Sequence, residues 1–342
     1  MENGLLTVCR MNNNGTDLQC AAMYHIFSKI YKNLEVINYK SPKFEKTRKI
    51  FKSFSIKSFL LFPYYIFLNL SHHLFRKKHL SLSKKIAEKN FNSLNQCERI
   101  IVGSDQIWNL EISEDINFFL PGLPDVKKIS YACSLGKTDV FELENKYHFS
   151  NYLKNFSNIS VREESGVKAL KTLGIDSRED LDPILLVEKE WIKSLFKLQR
   201  ISFKFVLLYL VERNDDSLSF AKEIAKQMGA KVIMISEPTF KKKGIRIKSF
   251  VGLEKWLNYL YQSECVITNS YHCISTSIAL NKPFVYFDLK NREKNTRAEC
   301  LLKKLNLDNN ALEINYDDVL PILERLRKRS YNFIEGEASN ER

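Results

Sequence analysis

The chain has 342 residues, 44% of them apolar and 27% charged, and its 53 Lys and Arg against 40 Asp and Glu give a formal net charge of +13. This length suits two ordinary domains with their own cores, and the absence of a repeat period or low-complexity tract excludes solenoid and disordered classes. The basic excess favours anionic partners without selecting one. The seven cysteines form no CxxC pair and no metal-like spacing, which reads as reduced packing residues in a cytosolic setting, and MENGLLTVCR lacks the pattern of a secretory signal.

In chain order, the first half reads as strands alternating with helices or loops: Leu5–Cys9, Leu34–Asn38, Arg99–Val102, Lys128–Ala132 and Asn158–Val161. Strands so interleaved predict a parallel sheet. Between the second and third strands lies a basic insertion, 41–95, predicted to be helical, within which Phe59–Leu70 (FLLFPYYIFLNL) is strongly apolar and flanked by Lys43, Lys46, Arg48, Lys49, Lys52, Lys57, Arg76, Lys77 and Lys78. The apolar stretch is shorter than the ~20 residues a spanning helix needs, and Pro63 is expected to interrupt a straight helix. Two readings stay open for it: packing on the protein, or contact with an anionic membrane surface. His72 and His73, in the same insertion, read as surface residues.

A break follows Asp182-Pro183, and a linker near 189–202 leads to a second α/β unit. Its elements are Phe205–Leu210, a helix around Ser217–Met228, Lys231–Ile235, a helix around Leu253–Gln262, Cys265–Thr268 and Phe284–Phe287. The expected organisation is an N-terminal lobe over 1–190, a C-terminal lobe over 203–330 and a disordered polar tail over 331–342.

Polar clusters recur at the carboxyl ends of these strands, where open α/β sheets bind ligands. Asn13, Asn14, Gly15 and Asp17 follow the first strand; Gly103, Ser104, Asp105, Gln106 and Trp108 follow IIV; Arg162 and Glu163 follow the strand ending at Val161. In CVITNSYHCISTSIAL the apolar run stops at Thr268, Asn269, Ser270 and His272 and resumes at helical spacing. Ser270 and His272 therefore belong beside a helix N-terminus, suited to a phosphate or carboxylate. Each cluster alone also reads as a turn or helix cap; together they predict a cleft. Ser134-Leu135-Gly136-Lys137-Thr138 is not a Walker loop, because Tyr131 stands where the first glycine is required. Asp180-Leu181-Asp182 reads as a turn as readily as a metal pair, no G-x-S-x-G elbow accompanies Ser270, and no metal site is expected.

Taken in order, NNGTDLQ (Asn13–Gln19), IVGSDQIWN (Ile101–Asn109), KISYACSLG (Lys128–Gly136), ISVREESGVKAL (Ile159–Leu170), LDPILLVEKEW (Leu181–Trp191), VITNSYHCISTSIALNKPFV (Val266–Val285) and the Asn295–Arg297 stretch resemble the polysaccharide pyruvyl transferase family. The resemblance implies an α/β protein with two Rossmann-like lobes of the GT-B glycosyltransferase type. It also implies transfer of pyruvate from phosphoenolpyruvate to a sugar of a cell-surface polysaccharide or its lipid-linked precursor, as a cyclic ketal, with release of phosphate and no cofactor. Where the family commonly has Ser-Phe-His-Gly, this chain has Ser270-Tyr271-His272-Cys273, with Cys273 adding bulk.

The expected donor residues are Arg162, Asn269, Ser270 and Arg297, because phosphoenolpyruvate needs forked cations and backbone donors. His272 is the expected general acid or base, with Asp105 second. Asn14, Gly15, Asp17, Ser104, Gln106 and Trp108 are the expected acceptor side. The expected partners are phosphoenolpyruvate, a sugar or lipid-linked oligosaccharide and, through the insertion, the inner face of a cell membrane; nucleic acid is not expected. The competing readings are a nucleotide-sugar glycosyltransferase of the same fold and a non-catalytic, membrane-associated glycan-binding protein.

Overall fold

The computed structural model describes residues 1–47, 56–136 and 140–339. Arg48, Lys49 and Lys52 of the basic flank, and Lys137 and Thr138 of the rejected phosphate loop, lie outside the described residues.

Two open sheets carry the molecule. The first comprises β1 (Asn3–Leu6), β2 (Leu34–Val36), β5 (Arg99–Asp105), β6 (Lys127–Cys133), β7 (Ser160–Val161) and β8 (Arg178–Glu179), in the order β2-β1-β5-β6-β7-β8. All its pairings are parallel, with Leu5 opposite Val36 on one side and Ile101 on the other. The second comprises β9 (Phe205–Tyr209), β10 (Lys231–Ile235), β11 (Ile245–Lys248), β12 (Cys265–Thr268), β13 (Phe284–Tyr286) and β14 (Asn310–Ala311), in the order β11-β10-β9-β12-β13-β14. It is parallel except for β14. Between β2 and β5, short strands β3 (Tyr39–Lys40) and β4 (Ile86–Ala87) pair across the insertion.

The near-continuous apolar runs of the central strands follow from burial on both faces: Ile100, Ile101, Val102, Val206, Leu207, Leu208, Val266 and Ile267 are wholly buried. One core cluster runs from Leu5 and Ile101 of the first sheet to Leu207 and Val266 of the second, through Ile184, Leu185 and Leu186. All seven cysteines are unpaired and six are buried, as the packing reading expects.

Three expectations are corrected. Pro63 does not break the insertion helix, because it stands in the first turn of Phe62–His79, where its missing N–H has no intrahelical acceptor to satisfy. Of the expected polar tail, residues 331–339 are helical: a helix runs over Tyr316–Ser339 and returns to the first lobe. Its Ser330 Oγ donates to Asp180 Oδ1 at 3.0 Å, its Arg327 Nε donates to the Leu185 carbonyl at 2.6 Å, and Phe333 and Ile334 are buried. Burial of that stripe outweighs the polar composition of the last residues. His72, read as surface, is buried, for a reason that involves Asp17 below.

Candidate active site

In each sheet the strand order reverses at one place, between β1 and β5 in the first and between β9 and β12 in the second. Connections leave such neighbouring strands toward opposite faces, which opens a crevice at their carboxyl ends. The two crevices face each other across a cleft of 210 Å³ lined by Asn13, Thr16, Asp105 and Gln106 from one lobe and by Asn269, Ser270, Tyr271, His272, Lys294 and Arg297 from the other.

The first lobe contributes Asp105 at the end of β5. Its φ of 72° is a conformation that side-chain-bearing residues rarely adopt. Thr16 Oγ1 donates to its Oδ2 at 3.0 Å and the Gln106 backbone N–H to its Oδ1 at 2.8 Å. Burial alone would raise its pKa, but His272, Arg162, Arg297 and that N–H outweigh burial and bring it to about 2. Asn13 caps the helix Asn14–Phe27, accepting from Gly15 and Thr16 N–H at 2.9 and 3.2 Å. Gly15 then lies so close to the other lobe that a Cβ there would stand 2.4 Å from His272 Cβ.

The second lobe contributes the turn between β12 and the helix Tyr271–Ala279. Asn269 spans the crevice, accepting from Val211 N–H at 2.8 Å and donating to the Glu212 carbonyl at 2.6 Å, so it fixes the loop after β9. Ser270 opens the helix with its side chain unused in capping, and its backbone N–H donates to Thr268 Oγ1 at 3.0 Å. Both Arg162 and Arg297 place their guanidinium carbons 5.2 Å from the centre of the Tyr271 ring, which holds two cations beside one helix N-terminus.

Behind Tyr271, Arg162 donates to Ser104 Oγ and pairs with Asp182 Oδ2 at 3.2 Å. Burial works against its charge, yet Asp182, Tyr271, Asp105 and Glu163 together raise its pKa above the ordinary value. His272 Nε2 lies 3.9 Å from the same Asp182 oxygen. Burial is the main influence that lowers the His272 pKa; Arg162 and Arg297 add to it, and Asp105 and Asp182 oppose it. The imidazole is therefore neutral at neutral pH. Among the described residues, Arg162 Nε and Nη1, Asp182 Oδ2 and His272 Nε2 are buried without a hydrogen-bond partner. Asp182 Oδ2 keeps its ion pair with Arg162, whereas the two Arg162 nitrogens and His272 Nε2 have hydrogen-bonding capacity to spare, at a cost of about 1–3 kcal/mol for each buried atom left unpaired.

The structure thus brings together His272, Asp105, Asn269, Ser270, Arg297 and Gln106 on one cleft, with Arg162 buried behind Tyr271. Four of the expected acceptor residues stand elsewhere. Asp17 is wholly buried, 2.7 Å from His72 Nδ1, and its Oδ1 accepts from Arg76 Nη1 at 3.0 Å, so it anchors the insertion helix. Trp108 is a core residue whose indole N–H donates to the Phe118 carbonyl at 2.9 Å. Ser104 Oγ donates to the Ala132 carbonyl at 2.8 Å while accepting from Arg162, and Asn14 is buried beside Tyr209. Gly15 touches His272 rather than open cleft. Cys273 is wholly buried in the core and does not line the cleft, so its bulk is spent away from any ligand.

Sequence reasoning missed Thr16 as a prop for Asp105, and Asp182, which read as a turn or as one of a metal pair. Its one signal was Asp182-Pro183: the carboxylate caps the helix Pro183–Leu186, accepting from Ile184 N–H at 2.9 Å, with its second oxygen left toward Arg162. Among the described residues no three His, Cys, Asp or Glu side chains are grouped to hold a metal.

Two facing open sheets with a cation-lined cleft at both strand reversals define an α/β protein of the two-lobed GT-B type. Solved structures similar over nearly the whole chain include the UDP-GlcNAc 2-epimerase of Neisseria meningitidis bound to UDP-GlcNAc, at 11% identity and TM-score 0.51, covering 100% of both chains. Another is a Listeria monocytogenes protein assigned as a UDP-N-acetylglucosamine 2-epimerase, at 9% identity and TM-score 0.52, covering 99% of this chain and 89% of that one. At such identities the likeness is one of fold. The chain belongs to the polysaccharide pyruvyl transferase family, whose pattern matches residues 13–291, and it is accordingly a transferase of polysaccharide biosynthesis. No curated protein matches it in sequence.

Proposed function

We propose that this transferase takes pyruvate from phosphoenolpyruvate and places it on a sugar of a cell-surface polysaccharide or its lipid-linked precursor as a cyclic ketal. The observation that carries the reading is the pair of guanidinium groups on Tyr271, one of them with two unpartnered nitrogens, at a helix N-terminus beside His272. A small molecule with a carboxylate at one end and a phosphate at the other matches two forked cations and free backbone donors.

In this reading Arg162 and Arg297 hold the two anionic ends. The added negative charge raises the His272 pKa, since an opposite charge nearby favours the imidazolium. His272 then protonates the methylene carbon of the enol, and electron deficiency develops at C2. A sugar hydroxyl adds to C2 and returns its proton to His272. A second hydroxyl of the same sugar then replaces phosphate at C2, closing the ring; its proton leaves with the phosphate. Asp105, ionised and fixed by Thr16 and Gln106, orients the sugar hydroxyl from the opposite wall. Positioned acid–base catalysis of this kind contributes roughly 10²- to 10⁴-fold.

The test is phosphate release from phosphoenolpyruvate by purified protein with and without a glycolipid extract, followed by mass analysis of the glycolipid. Acceptor-dependent release, a mass gain of pyruvic acid less water, and loss of both in folded His272→Ala are expected. Thermal stabilisation by a nucleoside diphosphate, with no phosphate release and none by phosphoenolpyruvate, would overturn the reading in favour of a nucleotide-sugar transferase.

A further inference from the structure

The helix Phe62–His79 is built the wrong way round for a helix facing water. A surface helix ordinarily turns charge outward and its apolar stripe inward. Here the outward positions are Pro63, Ile66, Leu70, His73 and Leu74, with Lys77 and Lys78 only in the last turn. Leu70 and Leu74 are each 54% exposed, and Phe59 and Leu60 just before the helix are 73% and 61% exposed. The inner face instead carries the buried polar pair His72 and Arg76, held by Asp17. The helix is not loosely attached: Tyr64 and Phe67 pack on Phe250, Asn12 Nδ2 donates to Asn69 Oδ1 at 2.6 Å, and Lys78 Nζ lies 2.8 Å from Glu254 Oε1. Both lobes thus grip it in an orientation that leaves the apolar stripe outward.

Charge points to what covers that stripe. Residues 41–95 hold twelve Lys and Arg against two Glu, and no Asp or Glu occurs from 46 to 87. The insertion therefore carries ten of the chain's thirteen net positive charges. Lys77, Lys84 and Lys85 are exposed. The same face opens into a groove of 400 Å³ bounded by Ile66, Leu70 and Leu82, with Arg10, His73 and Lys85 on its lining. Among the described residues no helix is long and apolar enough to cross a membrane.

We propose that this face docks the protein on an anionic bilayer, with Phe59, Leu60, Ile66, Leu70 and Leu74 in the interface and the lysines against lipid phosphates. An apolar stripe rimmed by cations has the composition of an interfacial helix, in which buried apolar area and attraction to anionic lipid act together. A face made to meet a second copy of itself would instead set its exposed lysines against their own image. The inference stands apart from the donor the cleft takes, and its test uses no substrate.

The experiment is co-sedimentation of the full-length protein with phosphatidylcholine vesicles, with and without phosphatidylglycerol. Binding to the anionic vesicles at low salt, weakening with salt, is expected. Ile66→Ser/Leu70→Ser/Leu74→Ser should weaken it more than about tenfold with the protein still folded by circular dichroism, because the exposed half of each side chain loses its apolar contact with lipid. Lys77→Glu/Lys84→Glu/Lys85→Glu should do the same, and the emission of Leu70→Trp should shift to the blue on anionic vesicles alone. Absence of vesicle binding, undiminished binding by the serine variant, or self-association abolished by that variant without vesicle binding would each overturn the proposal.

Discussion

Gly15→Ala separates stability from function at this site. The new Cβ would stand 2.4, 2.6 and 2.7 Å from His272 Cβ, Cγ and Nδ1. Carbon atoms in contact prefer about 3.5–4.0 Å, so the imidazole, or the lobe that carries it, must retreat by about 1 Å. Gly15 is the second residue of the helix Asn14–Phe27, where Ala gains less than the about 1 kcal/mol of a helix interior, while overpacking costs about 1–3 kcal/mol. The helix gain offsets part of that cost, and the variant should stay folded with its melting temperature lowered by no more than several degrees. Catalysis has no such compensation, since a 1 Å misplacement costs about 10²-fold. Gly336→Ala is the matched control: it also lies in a helix, and its added Cβ meets nothing within 4 Å. The assay is acceptor-dependent phosphate release at saturating substrates, with denaturant melts of both variants. Turnover of Gly15→Ala above half the parent value, with His272 unmoved in a crystal structure, would refute the reasoning.

Three further outcomes follow from the same geometry. Burial holds the His272 pKa below its ordinary value in the free protein, so donor binding that needs the imidazolium must take up a proton; calorimetry in buffers of different ionisation enthalpy should show uptake, with affinity rising as pH falls through the ordinary histidine range, and pH-independent affinity would contradict the role. Arg162→Lys cannot reproduce a fork that serves Ser104 and Asp182, so donor KM should rise about tenfold or more while acceptor KM changes little; equal rises would remove Arg162 from the donor site. Asp17→Ala leaves His72 and Arg76 buried without their carboxylate, which should cost about 3–5 kcal/mol by urea unfolding; a loss below about 1 kcal/mol would show that the insertion helix is held by other contacts.

What the sequence made legible follows from how each residue is used. Central strands such as IIV and VIT are buried on both faces and stand out as apolar runs, whereas β11 reads IRIK with its arginine exposed, and β8 and β14 are two-residue edge strands without any run. The carboxyl ends of the central strands pointed to the cleft because polar residues broke those runs in order. Direction within each cluster was hidden. Successive side chains of a strand point to opposite faces, so Asp105 reaches the cleft while Ser104 turns back to the Ala132 carbonyl and Arg162. Asp17 lies only one residue beyond the cleft-lining Thr16, yet it points to the insertion. His72 looked exposed within a run of cations because its partner stands 55 residues away. Asp182 had a local task, capping, that concealed its second oxygen.

The turn Asn13–Asp17 joins the two surfaces described above. Asn13 fixes the start of its helix, Gly15 sets the distance to His272, Thr16 holds Asp105, and Asp17 binds the insertion helix through His72 and Arg76. Within five consecutive residues His272, Asp105 and the proposed bilayer-facing segment are referred to one turn. An acceptor sugar carried on a lipid would arrive along that outward face, and the turn would then fix how far the lipid plane stands from His272. Lengthening the connecting loops would leave this distance unchanged, because Asp17, Asn12, Phe250 and Glu254 hold the helix itself. Breaking the Asp17 contacts while preserving vesicle binding, as Asp17→Ala is designed to do, should lower turnover on a lipid-linked acceptor more than on a soluble sugar; equal losses on the two would mean that the turn supports His272 alone.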